Sequence, residues 1–249
     1  MRANLPGFED FLFESDGLEK AVYKTGSGPA VILIHELPGM SLPCIDLGRR
    51  LASEGYTVYM PLLFGEPGGY YGLKPALWGC VWREFNLLSS RGESPLSEWM
   101  RALARKAHLE CGGKGVGAIG MCLTGSFALS MMLEPALIAP VLSQPSLPLL
   151  PWKRSEVGIS DREWSNAKRR CREEGVPVLG FRFQGDPACP GARFQALREG
   201  LGEGFRAVEI PGSKHAVLTY HFKDLTPEDQ ARVWGELSGF LRRQLRGSV

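Results

Sequence analysis

The segment Gly120-Met121-Cys122-Leu123-Thr124-Gly125 lies between an apolar run and a helical pattern. A Cys with small residues two positions to either side fits a sharp strand-to-helix turn that exposes a nucleophile. Small neighbours are needed because a Cβ beside so tight a turn would clash. The Leu123 N–H then opens the helix, where a peptide donor can face a developing oxyanion. The alternative is a buried Cys at an ordinary strand–helix turn. Gly185-Asp186 follows a second apolar run, where an acid can orient a histidine; Gly-Asp is also a common turn. His215, in Gly212-Ser213-Lys214-His215, follows a third run, although a lone loop His is usually structural or solvated. Together the three stand in the order nucleophile, acid, histidine, 64 and 29 residues apart. Such gaps have room for intervening strand–helix units. A thiol, an imidazole base and an orienting carboxylate are the parts of an acyl-transfer site. A fourth segment, His35-Glu36-Leu37-Pro38-Gly39, follows another apolar run. There the Leu37 N–H is the candidate second oxyanion donor. Glu36 is either a functional acid or a solvated loop acid.

The elements that must hold these residues are short strands alternating with helices. Strands are expected at 31–34, 56–60, 116–120, 136–143, 176–183 and 205–210. Helices are expected at 47–54, 98–110, 123–133, 161–174 and 191–198. Ser160 is the expected N-cap of the fourth helix. A final helix starts at Thr226-Pro227-Glu228, with an N-cap Thr, Pro in the first turn and then acids. Strand–helix alternation over the whole length predicts one α/β domain spanning residues 1–249, a mostly parallel sheet with helices on both faces. In such sheets, sites form at the carboxyl ends of strands, which is where Glu36, Cys122, Asp186 and His215 fall.

Gly115-Val116-Gly117-Ala118-Ile119-Gly120 spells a dinucleotide-binding pattern, but those glycines run along the strand instead of opening a helix. Tyr70, Tyr71, Trp78, Trp82 and Phe85 cluster after the second of these strands. Trp78 and Trp82, four residues apart, can share a helix face. These aromatics either pack in the core or wall an apolar substrate pocket.

Composition narrows the class. The 249 residues carry 29 basic and 27 acidic side chains, a net charge of +2. Near-neutral charge gives no reason to expect a nucleic-acid partner. No apolar run is long enough for a membrane span, and the first ten residues lack the apolar core of a signal peptide. A cytoplasmic protein with no membrane partner is expected. The six cysteines show no paired metal-ligand spacing, and there are only four histidines, so no metal is expected.

The His-Glu-x-x-Gly segment, the Gly-x-Cys-x-x-Gly turn, the Gly-Asp and the late His together resemble the dienelactone hydrolase (carboxymethylenebutenolidase) family. The resemblance runs from about Val22 to Phe240. It implies an α/β-hydrolase fold without a large lid, and a Cys122–His215–Asp186 triad with Glu36 beside the thiol. In that family the Glu helps to activate the Cys when substrate binds, and that role is carried to Glu36. Two departures are visible. Thr124 stands where the family more often has Gly. Thr219, four residues after His215, stands where members that cleave dienelactones have an Arg for the substrate carboxylate. Lys74 and Arg83 are the nearby candidates for a second family cation.

The expected activity is cysteine-dependent hydrolysis of a small-molecule ester or lactone, which implies no cofactor. Leu37 and Leu123 hold the oxyanion, and Tyr70, Trp78, Trp82 and Thr219 are candidate substrate contacts. Two other readings are a phosphoester hydrolase and a non-catalytic binding protein that keeps the pocket.

Overall fold

Strand β3 (Ala30–Ile34) is apolar at every position and wholly buried. A strand with this pattern must be covered on both faces. Its alternate residues supply two cores. Ala30, Ile32 and Ile34 join one, Val31 and Leu33 the other. The structure, a computed structural model, describes residues 5–69, 94–148 and 151–247.

Around β3 the chain forms β1 (Glu9–Ser15), β2 (Leu18–Thr25), α1 (Leu42–Ser53), β4 (Thr57–Pro61), α2 (Pro95–Cys111) and β5 (Val116–Met121). Then follow α3 (Phe127–Ser130), β6 (Leu137–Ser143), α4 (Asp161–Glu173), β7 (Val178–Phe183), α5 (Gly191–Leu201), β8 (Phe205–Ile210) and α6 (Pro227–Leu245). The eight strands are ordered β1-β2-β4-β3-β5-β6-β7-β8. From β4 to β8 all pairings are parallel, while β1 and β2 add an antiparallel edge. Helices α1 and α6 cover one face, with Ile45, Leu51, Leu237 and Phe240 in its core. Helices α2, α4 and α5 cover the other, with Trp99, Leu103, Ala167 and Phe194. The expected mostly parallel, doubly covered sheet is therefore present.

Capping explains where the helices begin. Ser160 accepts from the Glu163 N–H at 3.2 Å, while the Glu163 carboxylate accepts from the Ser160 N–H at 2.9 Å. Thr226 likewise accepts from Asp229 N–H at 3.1 Å ahead of α6. Both starts match the sequence expectation. Helix α1 instead begins five residues before the expected 47, with Ser41 at its N-cap and Pro in its first turn.

Two further features differ. The β1–β2 hairpin was not among the expected strands. Its turn is Asp16-Gly17, with both residues at positive φ, 51° and 75°, the pairing that a two-residue hairpin turn demands. The helix expected over 123–133 is broken into a 3₁₀ turn at Cys122–Thr124, the short α3, and a second 3₁₀ turn at Met131–Leu133. Gly125 closes the first 3₁₀ turn, and a Cβ there would stand 2.6 Å from the Pro145 Cα. Among the described residues, no helix is long and apolar enough to cross a membrane.

Candidate active site

Cys122 follows β5 directly and has φ 55°, in the left-handed region that a residue with a Cβ rarely adopts. Such a backbone costs on the order of 1–3 kcal/mol and needs surroundings that enforce it. Two glycines make the turn possible. A Cβ on Gly120 would fall on the Thr124 carbonyl oxygen, and one on Gly125 would meet Pro145. Thr124 fits because its side chain turns towards the end of β3. Its Oγ1 accepts from Met121 N–H at 3.0 Å. Carbonyls of Met121, Ile34 and His35 lie 2.8, 3.3 and 3.2 Å away to take its proton. The threonine thus ties the Cys122 turn to the segment that carries Glu36. Leu123 lies in the first 3₁₀ turn, where N–H groups have no partner inside the helix.

The loops after β7 and β8 approach closely. Gly185 N–H donates to Gly212 O at 2.8 Å, and a Cβ on Gly185 would press on Gly212 and Ser213. This contact brings Asp186 to His215. Asp186 is buried, and its Oδ1 accepts from Ala188 N–H at 2.9 Å. Its Oδ2 meets His215 Nδ1 at 2.7 Å. His221 shapes the histidine loop from within: its Nδ1 accepts from His215 and Ala216 N–H, at 3.3 and 2.9 Å. Burial lowers the His221 pKa, which suits an acceptor ring. Burial also opposes charge on His215, yet the carboxylate of Asp186 and the neighbouring Cys122 raise its pKa to about 10.

Glu36 is buried at the end of β3. Its backbone is pinned by His35, whose Nε2 accepts from Leu63 N–H at 3.0 Å. Because that nitrogen accepts, Nδ1 carries the proton and donates to Glu36 O at 3.1 Å. Burial lowers the His35 pKa to about 4, consistent with a neutral ring. Among the described residues the Glu36 carboxyl receives neutral donors: the Thr219 hydroxyl on Oε1, and Gln144 Nε2 on Oε2 at 2.9 Å. Burial raises its pKa; Thr219, His215 and Gln144 oppose the shift.

One donor atom each from Glu36, Cys122 and His215 lie within 4.8 Å of one another. A carboxyl, a thiol and an imidazole so placed can exchange a proton and present a sulfur nucleophile. Among the described residues they are also the one group of three potential metal ligands. An ion held there would take the thiol and the imidazole out of proton transfer.

Glu36, Cys122, Asp186 and His215, expected at strand ends, are brought together by the fold. Thr219, expected at the substrate, is buried with its hydroxyl on Glu36. Tyr70, Tyr71, Lys74, Trp78, Trp82, Arg83 and Phe85 lie outside the described residues. Gln144 and Ser146, just after β6, were missed. Gln144 has φ 36° and is buried. Its side-chain oxygen takes the Ser143 hydroxyl and Val217 N–H, and its amide reaches Glu36. Ser146 Oγ lies 3.4 Å from His215 Nε2. The available signal was position: polar residues following an apolar parallel strand at its carboxyl end.

The sequence profile of the dienelactone hydrolase family matches residues 19–245. No curated protein matches the chain. Among solved structures, a Klebsiella pneumoniae subsp. pneumoniae MGH 78578 protein assigned as a dienelactone hydrolase aligns with TM-score 0.67 at 20% identity, over 94% of this chain and 97% of that one. A dienelactone hydrolase-like promiscuous phosphotriesterase from metagenomic libraries aligns with TM-score 0.68 at 15% identity, over 96% and 98%. A cold-adapted esterase from an Arctic intertidal metagenomic library aligns with TM-score 0.65 at 14% identity, over 98% and 97%. At these identities the structural likeness establishes the fold, that of the α/β-hydrolases, with no large added domain.

Proposed function

The chain belongs to the dienelactone hydrolase family, and from that premise we propose that it hydrolyses a neutral carboxylic ester or lactone through a Cys122 thioester. One arrangement carries the reading. Cys122 sits on a left-handed turn, with His215 and Glu36 beside it, and His215 is held by Asp186 at 2.7 Å.

In this reading the Asp186 carboxylate accepts a hydrogen bond from Nδ1–H and so turns Nε2 of His215 towards Cys122. The imidazole takes the thiol proton directly, its basicity raised by Asp186. Cys122 Sγ attacks the carbonyl carbon, and Leu123 and Leu37 N–H groups receive the oxyanion. The C–O bond then breaks, and His215 returns the proton to the leaving alcohol. Water, deprotonated by His215, releases the acid and restores the thiol. Glu36 stands beside the thiol as a second proton-exchanging group.

The neutral substrate follows from Thr219. A buried substrate carboxylate needs a cation, which a bidentate Arg supplies best. Thr219 brings no charge, and its hydroxyl is committed to Glu36. Loss of a charged hydrogen bond costs about 1.5–3 kcal/mol, roughly one to two orders of magnitude in rate or affinity.

The test is hydrolysis of p-nitrophenyl acetate before and after iodoacetamide, with wild-type protein and Cys122→Ala. Both treatments should lower turnover at least about a thousandfold, as loss of a nucleophile does. Turnover that survives in Cys122→Ala would remove the thiol from the mechanism. A phosphotriester in the same assay checks the second electrophile suggested by the name of one structural neighbour.

A further inference from the structure

We propose that Ser146 is a positioning residue for His215: its hydroxyl oxygen accepts the Nε2–H of the protonated imidazole and so holds the ring between proton transfers. The argument rests on hydrogen-bond direction. Ser146 is buried, and a hydroxyl has one proton to give. That proton goes to the Gln144 carbonyl at 2.9 Å. Only lone pairs are then left to face His215 Nε2, 3.4 Å away. Nδ1 is already committed to the Asp186 carboxylate, which can only accept. The contact with Ser146 therefore requires hydrogen on both ring nitrogens, which is the imidazolium.

The backbone around Ser146 is built to keep this direction. Gln144 stands at φ 36°, an uncommon conformation for a side chain of its size, and its carbonyl takes the serine proton. Ser146 N–H donates to Cys122 O at 3.0 Å, which fixes the distance between serine and thiol. Behind the segment, the buried Arg193 guanidinium donates to Pro145 O at 2.8 Å and to Pro148 O at 2.7 Å.

Among the described residues, the charged and titratable groups facing His215 come from four loops. They are Asp186 after β7, Cys122 after β5, Glu36 after β3, and His221 and Lys214 on its own loop. Lys214 is paired with Asp224 at 3.0 Å. Among the described residues, Nε2 is left to Cys122 and Ser146. An acceptor for Nε2–H favours the imidazolium, and hence the thiolate partner that the imidazolium stabilises.

The proposal rests on Cys122 as nucleophile, and its test separates the two ideas. The measurement is the rate of Cys122 alkylation by iodoacetamide against pH, in wild type, Ser146→Ala and Ser146→Thr. Ser146→Ala should move the midpoint upward by about one pH unit, the scale expected for a hydrogen bond to a charged group. On the acid side of both midpoints that is about a tenfold slower reaction, while the alkaline plateau stays at the wild-type rate. Damage to folding alone would lower the plateau without moving the midpoint. Ser146→Thr keeps the hydroxyl and should keep the wild-type midpoint, which also tests the idea if the alanine variant does not fold. An unshifted midpoint in Ser146→Ala, or a shifted one in Ser146→Thr, overturns the proposal. Esterase activity that survives alkylation of wild type would instead overturn the nucleophile reading.

Discussion

At the residue scale the feature that sets this site apart is a buried carboxyl held by neutral donors. Thr219 and Gln144 hydrogen-bond Glu36 without bringing a positive charge. Burial consequently dominates and raises its pKa. Such a carboxyl can take up and release a proton near the thiol, which Gln cannot. Glu36→Gln should lower ester turnover roughly a hundredfold, the lower end of general acid–base effects, while the melting temperature stays close to wild type. Full activity in that variant would return Glu36 to a packing role. The Asp186–His215 pair gives a second prediction, in stability. Against the opposing effect of burial, Asp186 and Cys122 raise the His215 pKa from 6.5 to about 10 in the folded state. The pair therefore stabilises the fold fully below about pH 6.5, and that contribution fades as pH rises through about 10. Urea denaturation of wild type and Asp186→Asn should show a wild-type advantage at pH 6.5 that shrinks by pH 10. A constant advantage would mean that the pair does not titrate in this way.

At the scale of elements, the candidate site is built where five parallel strands end. The segments after β3, β5, β6, β7 and β8 supply Glu36, Cys122, Gln144 with Ser146, Asp186 and His215. The turn after β5 is the least tolerant of them. Gly125→Ala would set a methyl 2.6 Å from the Pro145 Cα, where only backbone can give way. That variant should lose most esterase activity, with a lower melting temperature. An active variant of normal stability would show that the elbow can relax. Four of these positions were legible in the sequence because Cys, Asp, His and Glu each stood after a recognisable strand. Gln144 and Ser146 were not. Neither residue type marks a site alone, and their contacts with Glu36 and His215 follow from the fold, with Gln144 at positive φ. The hairpin of β1 and β2 was overlooked because its half-exposed strands lack the wholly apolar run that marked β3. The helix expected after Cys122 is instead 3₁₀ turns flanking a short α-helix, a local change of winding that an apolar helical pattern does not mark.

At the scale of the whole molecule, two apolar cores on either side of the sheet hold those strand ends in register, and the family's fold extends over nearly the whole chain. The substrate preference belongs to this scale, since it depends on everything that lines the pocket. A neutral ester should be turned over with a kcat/KM at least about tenfold above that for a dienelactone carboxylate of similar size, the effect of a missing charged partner. The reverse preference, abolished by replacing Lys74 or Arg83, would place a cation in the pocket from another direction. The central claim is a covalent bond between substrate and Cys122. Intact-mass measurement of acid-quenched protein during p-nitrophenyl acetate turnover tests it most directly. The account predicts a gain of one acetyl group, carried by the peptide that contains Cys122 and absent from Cys122→Ala. Steady turnover with no acyl protein at any quench time, or an adduct on another residue with Cys122→Ala fully active, would contradict it.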